Sequence, residues 1–429
     1  MGPRSGFGDC GARSFEPDHV SLSKFSIALV LAAIGAGTGS AAAQVRNDAS
    51  SIAQAIRDGS IDLALRYRYE HVDQDGIASH GNAAVLRTRL TFETARVHGF
   101  SLTLEVDDLR AIGADGFNST RNGKTDRPIV ADPTATELNE LVVRHDTPTG
   151  LEFSLGRQRL TRSSRRFVGS LNWRQNEQTF EAVTAVGRSR GGIETSYAYV
   201  SNVNRIFGPK EGTPPADFGG AIHLIDVKRT LDHGMQLWGY GYFLDLDTAA
   251  ALSTATLGIR VEGAYPISDR LRVPYFVDVA RQQDHAHNPF DYAADYLLLE
   301  SGLGWNEFSV LVGIEVLEGT GRGGEAFSTP LAGLHGRNGW ADQFVVTPSG
   351  GLEDRYVKLG RTLGGGRLDV VYHDYSASAG GSSYGTEVDV SVGWPITERY
   401  SLLIKAADYR ADGFATDTRK FWVMVSAGF

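Results

Sequence analysis

Arginines recur two residues apart in the first third of the chain, as Arg66 with Arg68 and Arg87 with Arg89. Residues at that spacing on a strand share a face, so each pair aims two guanidinium forks at one side. A guanidinium matches carboxylate or phosphate bidentately and keeps its charge at any ordinary pH. The chemistry on offer is recognition of anions. Arg144, Arg157, Arg159, Arg174 and Lys358 extend the set, and arginine supplies 35 of the 42 basic residues. Two outcomes stand open for these groups. They line a constriction that concentrates anions and rejects cations, or they pair with Glu70, Glu93, Glu105, Asp107 and Glu140 in ladders that stiffen a wall. Taken singly, an arginine reads as structural; taken as a group, they read as selective. Strict alternation sets Arg157 and Arg159 on the face of Phe153 and Leu155, so turning them with the others requires a bulge near Gly156.

The composition narrows what can position these side chains. A mean hydropathy of -0.20 excludes a polytopic helical membrane protein, and 41% apolar residues exclude general disorder. A net charge of -9 argues against a nucleic-acid binder held by bulk charge. The single cysteine, Cys10, excludes a disulfide framework and a thiolate metal cluster. Residues 25–36 are almost wholly apolar, preceded by Lys24 and followed by small residues ending at Ala43. That run is too short for a membrane span and matches a secretory leader, cleaved after Ala43. The polar stretch 1–19 is long for such a leader and points to a true start near Val20. Residues 1–43 hold three bases and three acids (Arg4, Arg13, Lys24 against Asp9, Glu16, Asp18), so the mature charge stays at -9.

Beyond residue 60 the pattern has period two and no sustained helical period. Leu63, Leu65, Tyr67 and Tyr69 oppose Arg66, Arg68 and Glu70; Val388, Val390, Val392 and Trp394 oppose Glu387, Asp389 and Ser391. A soluble sandwich and a membrane barrel share this alternation, so the connections decide. Eight short turns punctuate the chain: 96–99, 147–150, 188–192, 231–234, 266–270, 304–307, 364–366 and 395–399. Between them lie longer polar stretches, among them 112–137, 162–176, 201–219 and 318–350. Short turns at one end and long loops at the other are the outer-membrane arrangement. Eight turns join sixteen strands, and the first and last bring the count to eighteen. The expected fold is all-β: an antiparallel up-and-down transmembrane barrel over 61–429, after a periplasmic segment 44–60 whose residues 51–59 read as a short helix. Phe421, Val423, Val425, Ala427 and Phe429 alternate to the terminus and end on an aromatic. Bacterial outer-membrane barrels resemble this closely, where the last residue is an assembly signal.

Three stretches carry a family resemblance: SIAQAIRDGSIDLALRYRYEHVDQDG (51–76), GRQRLTRSSRRFVGSLNWRQNEQTFEAV (156–183) and FSTPLAGLHGRNGWADQFVVTPSGGLED (327–354). They resemble the alginate-export porins across the mature chain. The resemblance implies a monomeric eighteen-stranded barrel passing an acidic polysaccharide through an arginine-rich pore. It favours Arg157, Arg159 and Arg174 as pore residues, with Trp173, Gln175 and Asn176 in the same motif folding an internal loop. It also implies that the loop holding His335, Asn338, Trp340 and Asp342 folds over or into the pore, either as a gate with Trp340 offering a face to a sugar ring or as a self-packed loop shaped by its glycines.

The expected function is passive passage of alginate-like acidic polysaccharide or carboxylated saccharides through the bacterial outer membrane. The expected partners are membrane lipid, the anionic solute and the barrel-assembly machinery acting on Phe429; no cofactor, metal or nucleic acid is implied. A lipid-modifying enzyme at the barrel rim, drawing on His71, His80 or His373, and a plugged structural barrel are the competing classes. His285 and His287 supply too few ligands for a metal site. Asp73 and Asp75 begin a calcium-loop pattern that lacks its distal glutamate.

Overall fold

The computed structural model describes residues 48–429. The leader, with Cys10, and the first residues of the periplasmic segment lie outside the described residues. One short helix, α1 (Ile52–Arg57), precedes eighteen strands. In chain order these are β1 (Ser60–Gln74), β2 (Gly81–Glu93), β3 (Phe100–Gly116), β4 (Ala135–Asp146), β5 (Glu152–Gln158), β6 (Thr179–Arg188), β7 (Ile193–Asn204), β8 (Asp217–Thr230) and β9 (Gln236–Leu246). Then follow β10 (Thr254–Ser268), β11 (Leu271–Asp284), β12 (Ala293–Trp305), β13 (Phe308–Leu317), β14 (Leu352–Leu363), β15 (Gly366–Ser376), β16 (Ser383–Pro395), β17 (Tyr400–Ala411) and β18 (Thr418–Gly428). Each pairs antiparallel with its sequence neighbours, and β1 pairs with β18 to close the sheet. Closure satisfies every strand edge, which a barrel in hydrocarbon requires.

All eight expected turns fall at one end, and both β1 and β18 begin or finish there. The other end carries the long loops, including L3 (159–178) and L7 (318–351). The outward face is apolar: Leu155, Leu257, Ile259, Leu299, Val312, Leu359, Val388 and Phe421 are all exposed on the outside of the wall. A ring of exposed aromatics, Tyr265, Trp305, Phe308, Trp394, Tyr400 and Phe429, marks the short-turn end of that band, as the girdle of a membrane barrel does.

The inward face departs from an evenly wet lumen. On β1 to β4 and β14 to β18 it is charged, but β8, β9 and β12 present Ile222, Leu224, Tyr240, Tyr242, Leu244, Tyr296 and Leu298, around the buried Arg260–Asp278 pair of β10 and β11. Phe167 and Val168 of L3 and Phe327, Leu331 and Phe344 of L7 pack against this inner wall as one buried cluster. The hydrophobic core of the protein is therefore inside the barrel. Two loops fold into the lumen because that sector offers them apolar cover.

Candidate constriction of the lumen

L3 and L7 meet along a seam. Val168 bridges Leu331 in parallel, the Gly169 N–H donates to the Leu331 carbonyl at 2.9 Å, and the Gly333 N–H to that of Arg165 at 2.9 Å. Gln178 Nε2 also donates to the Leu331 carbonyl, at 3.1 Å. Arg166, fully buried, pairs with Glu315 of β13 at 2.7 Å and reaches Asn338 of L7 at 3.1 Å. The loops thus form one body held against the wall.

The arginine pairs of β1 and β2 point inward, as their spacing requires, and most of what they touch is L3. Arg66 donates to the Gln175 side chain (2.8 Å) and to the carbonyls of Asn172 (2.8 Å) and Arg174. Arg68 donates to the Trp173 carbonyl at 2.6 Å and pairs with Asp132. Arg87 and Arg89 both reach Glu177, at 3.3 and 3.0 Å, and the Nε–Nη2 edge of Arg89 grips both carboxylate oxygens of Asp107. Burial alone would raise the Glu177 carboxyl; Arg89, Arg159 and Arg87 outweigh it and hold the group at about 2. Arg174 lies buried between Glu70 (3.2 Å) and Asp342 (3.1 Å). Paired ladders therefore describe these groups better than a free cationic lining does.

Arg157 and Arg159 part company. β4, β5 and β6 run in unbroken register at Arg157, which stands opposite Leu141 and Glu181. It shares the outward face of Leu155 and pairs with Glu181 at 2.6 Å. Gly156 takes a positive φ of 125°, yet the expected bulge is absent there, so Arg157 is corrected from pore residue to outer-rim residue. Arg159 follows the end of β5 at Gln158. Freed from the strand, it turns inward to Glu105, Glu140 and Glu177. Replacing Arg157 by Ala is therefore expected to leave ion selectivity unchanged, within a reversal-potential measurement that does respond to lumen charge.

Arg144 faces inward below this network and donates to Thr103 at 2.6 Å. Lys358 also faces inward, on β14, 3.6 Å from Asp369 and towards the short-turn end. The three L7 residues are anchored. Asp342 pairs with Lys420 at 2.8 Å and with Arg174. His335 stacks on Trp173 with 4.1 Å between centroids and bonds both Asp342 (2.9 Å) and Lys405 (2.8 Å). The Trp340 ring lies 3.8 Å from the Lys405 ammonium, and the backbone N–H of Trp340 donates to Asp389 at 3.1 Å. Trp340 therefore spends its face on a wall lysine.

Two further arginines emerge only in three dimensions. Arg165 of L3 and Arg337 of L7 line one cavity of about 130 Å³ at the seam, with Ser164, Asn172, Trp173 and His335. Among the described residues neither makes a direct ion pair, though Glu315 lies near enough to stabilise the Arg337 charge. Arg165 makes a 3.4 Å contact with the Asn172 side chain, and Arg337 donates to the Ser164 carbonyl at 2.7 Å. The Ser164 hydroxyl and the Trp173 indole N–H in the same lining find no hydrogen-bond partner among the described residues. The cavity has room for about four waters. Sequence reasoning passed over both arginines because loop residues carry no periodicity; the cluster Arg162, Arg165, Arg166 amid serines was the available signal.

The fold has solved counterparts. OpdK of Pseudomonas aeruginosa, crystallised with vanillate, matches with a TM-score of 0.69 at 14% identity, over 87% of this chain and 99% of that one. OccK9 (OpdG) of the same organism matches at 0.68 and 14% identity, over 87% and 99%. OccAB4 of Acinetobacter baumannii matches at 0.67 and 12% identity, over 90% and 100%. No protein-family model matches the chain, and neither does any curated protein. The likeness establishes a closed eighteen-stranded barrel of the outer-membrane type. With its apolar outward band and aromatic ring, the chain belongs in the bacterial outer membrane.

Proposed function

We propose that this barrel is a passive outer-membrane channel for small organic anions, selected by carboxylate recognition at the L3–L7 seam. The observation that carries this reading is the pair Arg165 and Arg337, which share one cavity at the seam and, among the described residues, make no direct ion pair, with Glu315 acting on Arg337 only at longer range. Low-dielectric walls strengthen their field. Likeness to a barrel crystallised with vanillate, itself a carboxylate, supports the same class of solute. Two loops packed into the lumen favour small solutes over a long polymer, and uronate monomers and short oligomers are the form in which the alginate-like expectation continues. The exposed Phe429 at the end of the last strand serves assembly, and the barrel acts as a monomer.

A sealed structural barrel is the second reading, favoured by the continuous apolar cluster between loops and wall. Reconstitution separates the two. The channel reading expects anion-selective current, an Arg165→Ala/Arg337→Ala variant with selectivity reduced by about tenfold, the worth of one lost charge-assisted contact of about 1.4 kcal/mol, and weakened block by benzoate-type acids. A silent barrel supports the sealed reading, and a conducting barrel whose selectivity ignores both arginines moves the filter elsewhere.

A further inference from the structure

α1 presents an apolar face that nothing among the described residues covers. Ser51 caps it, accepting from the Gln54 N–H, and a helix of six residues has too few internal bonds to persist unaided. It is fastened to the turn between β2 and β3. The Ala49 N–H donates to the Arg96 carbonyl (2.7 Å), the Ala95 N–H to the Ala55 carbonyl (2.9 Å), and the Gly99 N–H to the Asp48 carboxylate (2.7 Å). Ala49 and Ala55 are buried. Ile52 and Ile56, one helical turn apart, are 71% and 54% exposed.

The surroundings identify what covers them. Ile61, just beyond the helix, is 70% exposed on the outward register of β1 and pairs with Phe92 on the same face. A side chain at Gly59 would touch the Phe92 ring at 3.0 Å, so the joint between α1 and β1 runs along the lipid-facing side of the wall. Leu63 exchanges both backbone hydrogen bonds with Phe429, a member of the aromatic ring. Ile52 and Ile56 thus continue the lipid band at the level where that ring marks its edge. Arg57, Asp58 and Ser50 are exposed and supply the polar side. We propose that α1 lies in the periplasmic leaflet of the outer membrane, with Ile52 and Ile56 among the phospholipid acyl chains and the polar side at the headgroups. The segment then acts as a depth stop, clamped to a turn of the barrel at its back and to lipid at its front.

The test uses the full chain with Cys10→Ser and one new cysteine, at Ile52→Cys, Ile56→Cys or Arg57→Cys, carrying an environment-sensitive fluorophore. Each is reconstituted in phosphatidylethanolamine–phosphatidylglycerol vesicles with and without brominated acyl chains. Emission from positions 52 and 56 is expected to fall about twofold with brominated lipid, and that from 57 to change little, as an interfacial helix requires. Iodide in the buffer is expected to quench in the opposite order. Equal behaviour at 52 and 57, or iodide access to 52 and 56, overturns the proposal and points to a water-exposed face or a periplasmic protein. An unlabelled Ile52→Ser/Ile56→Ser variant guards against label artefacts: it is expected to fold, since Ala49 and Ala55 keep their contacts, and to lose heat resistance in bilayers but not in detergent micelles. Equal loss in both overturns the lipid assignment.

Discussion

Arg174→Ala is expected to loosen the L3–L7 seam while leaving the barrel closed. Arg174 is buried and divides its fork between Glu70 on β1 and Asp342 on L7, at 3.2 and 3.1 Å. Its own carbonyl accepts from Arg66, so the residue joins wall, L3 and L7 at one point. Among the described residues, truncation leaves Glu70 with a 3.6 Å contact to Arg68, itself committed to Asp132, and the longer-range field of Lys405. Asp342 keeps Lys420 and His335. Stranding a buried carboxylate costs about 3–5 kcal/mol, against a docking of two loops that has no covalent support. The strand ladders do not pass through Arg174, so the loss falls on the loops. Single-channel records are expected to show larger, flickering currents, and protease added from the loop side is expected to cut within 159–178 or 318–351. Arg174→Lys rescues little, because one ammonium cannot span two carboxylates. A quiet trace with unchanged protection would show that the seam is held by its apolar contacts alone.

The parts of the molecule that the sequence disclosed are those where the two faces of a strand differ chemically. β16 alternates Val388, Val390 and Val392 against Glu387, Asp389 and Ser391, and both sets take the sides that alternation demands. The turns were legible for a related reason: glycine and asparagine at positions such as Gly99, Asn306 and Gly365 adopt the positive φ that tight hairpins need. β9 shows where the signal fades. In QLWGYGYFLDL both faces are apolar, one meeting lipid and the other meeting L3 and L7, so hydropathy alone conveys nothing about the occupant of the lumen. The two arginines at 157 and 159 make the same point at the scale of two residues. Their spacing predicts a shared face, yet the strand ends between them, and one faces outward while the other turns in. Arg165 and Arg337 were out of reach because their meeting depends on how two loops fold across a sequence distance of more than a hundred residues.

Acid is expected to release L7 through His335. Its ring stacks on Trp173, accepts from the Lys405 ammonium at Nε2 and, with the proton on Nδ1, donates to Asp342; that tautomer follows from Lys405 having only donors to offer. A second proton would set a ring N–H against an ammonium. Burial pushes the imidazole down, Asp342 opposes this and Lys405 and Arg174 reinforce it, and the group ends at about 3. Released into water, the same ring titrates near 6.5. Between those values the released loop binds a proton that the docked loop does not, so docking is at full strength above about pH 6.5 and weakens by about 1.4 kcal/mol for each unit of acidification towards pH 3. Asp342 does not cancel the effect: burial would raise it, but Lys420, His335 and Arg174 hold it well below the usual carboxylate range. Channel flicker and protease access to 318–351 are expected to rise as the buffer falls from pH 7 to pH 4.5. His335→Gln, which can keep a hydrogen bond to Asp342 without titrating, is expected to flatten that response while conducting as the parent does at pH 7. A parent barrel indifferent to pH over this range, or a glutamine variant that keeps the full response, would move the sensitivity to the carboxylates Glu387 and Asp389, which hold the Ala341 and Trp340 backbone of the same loop.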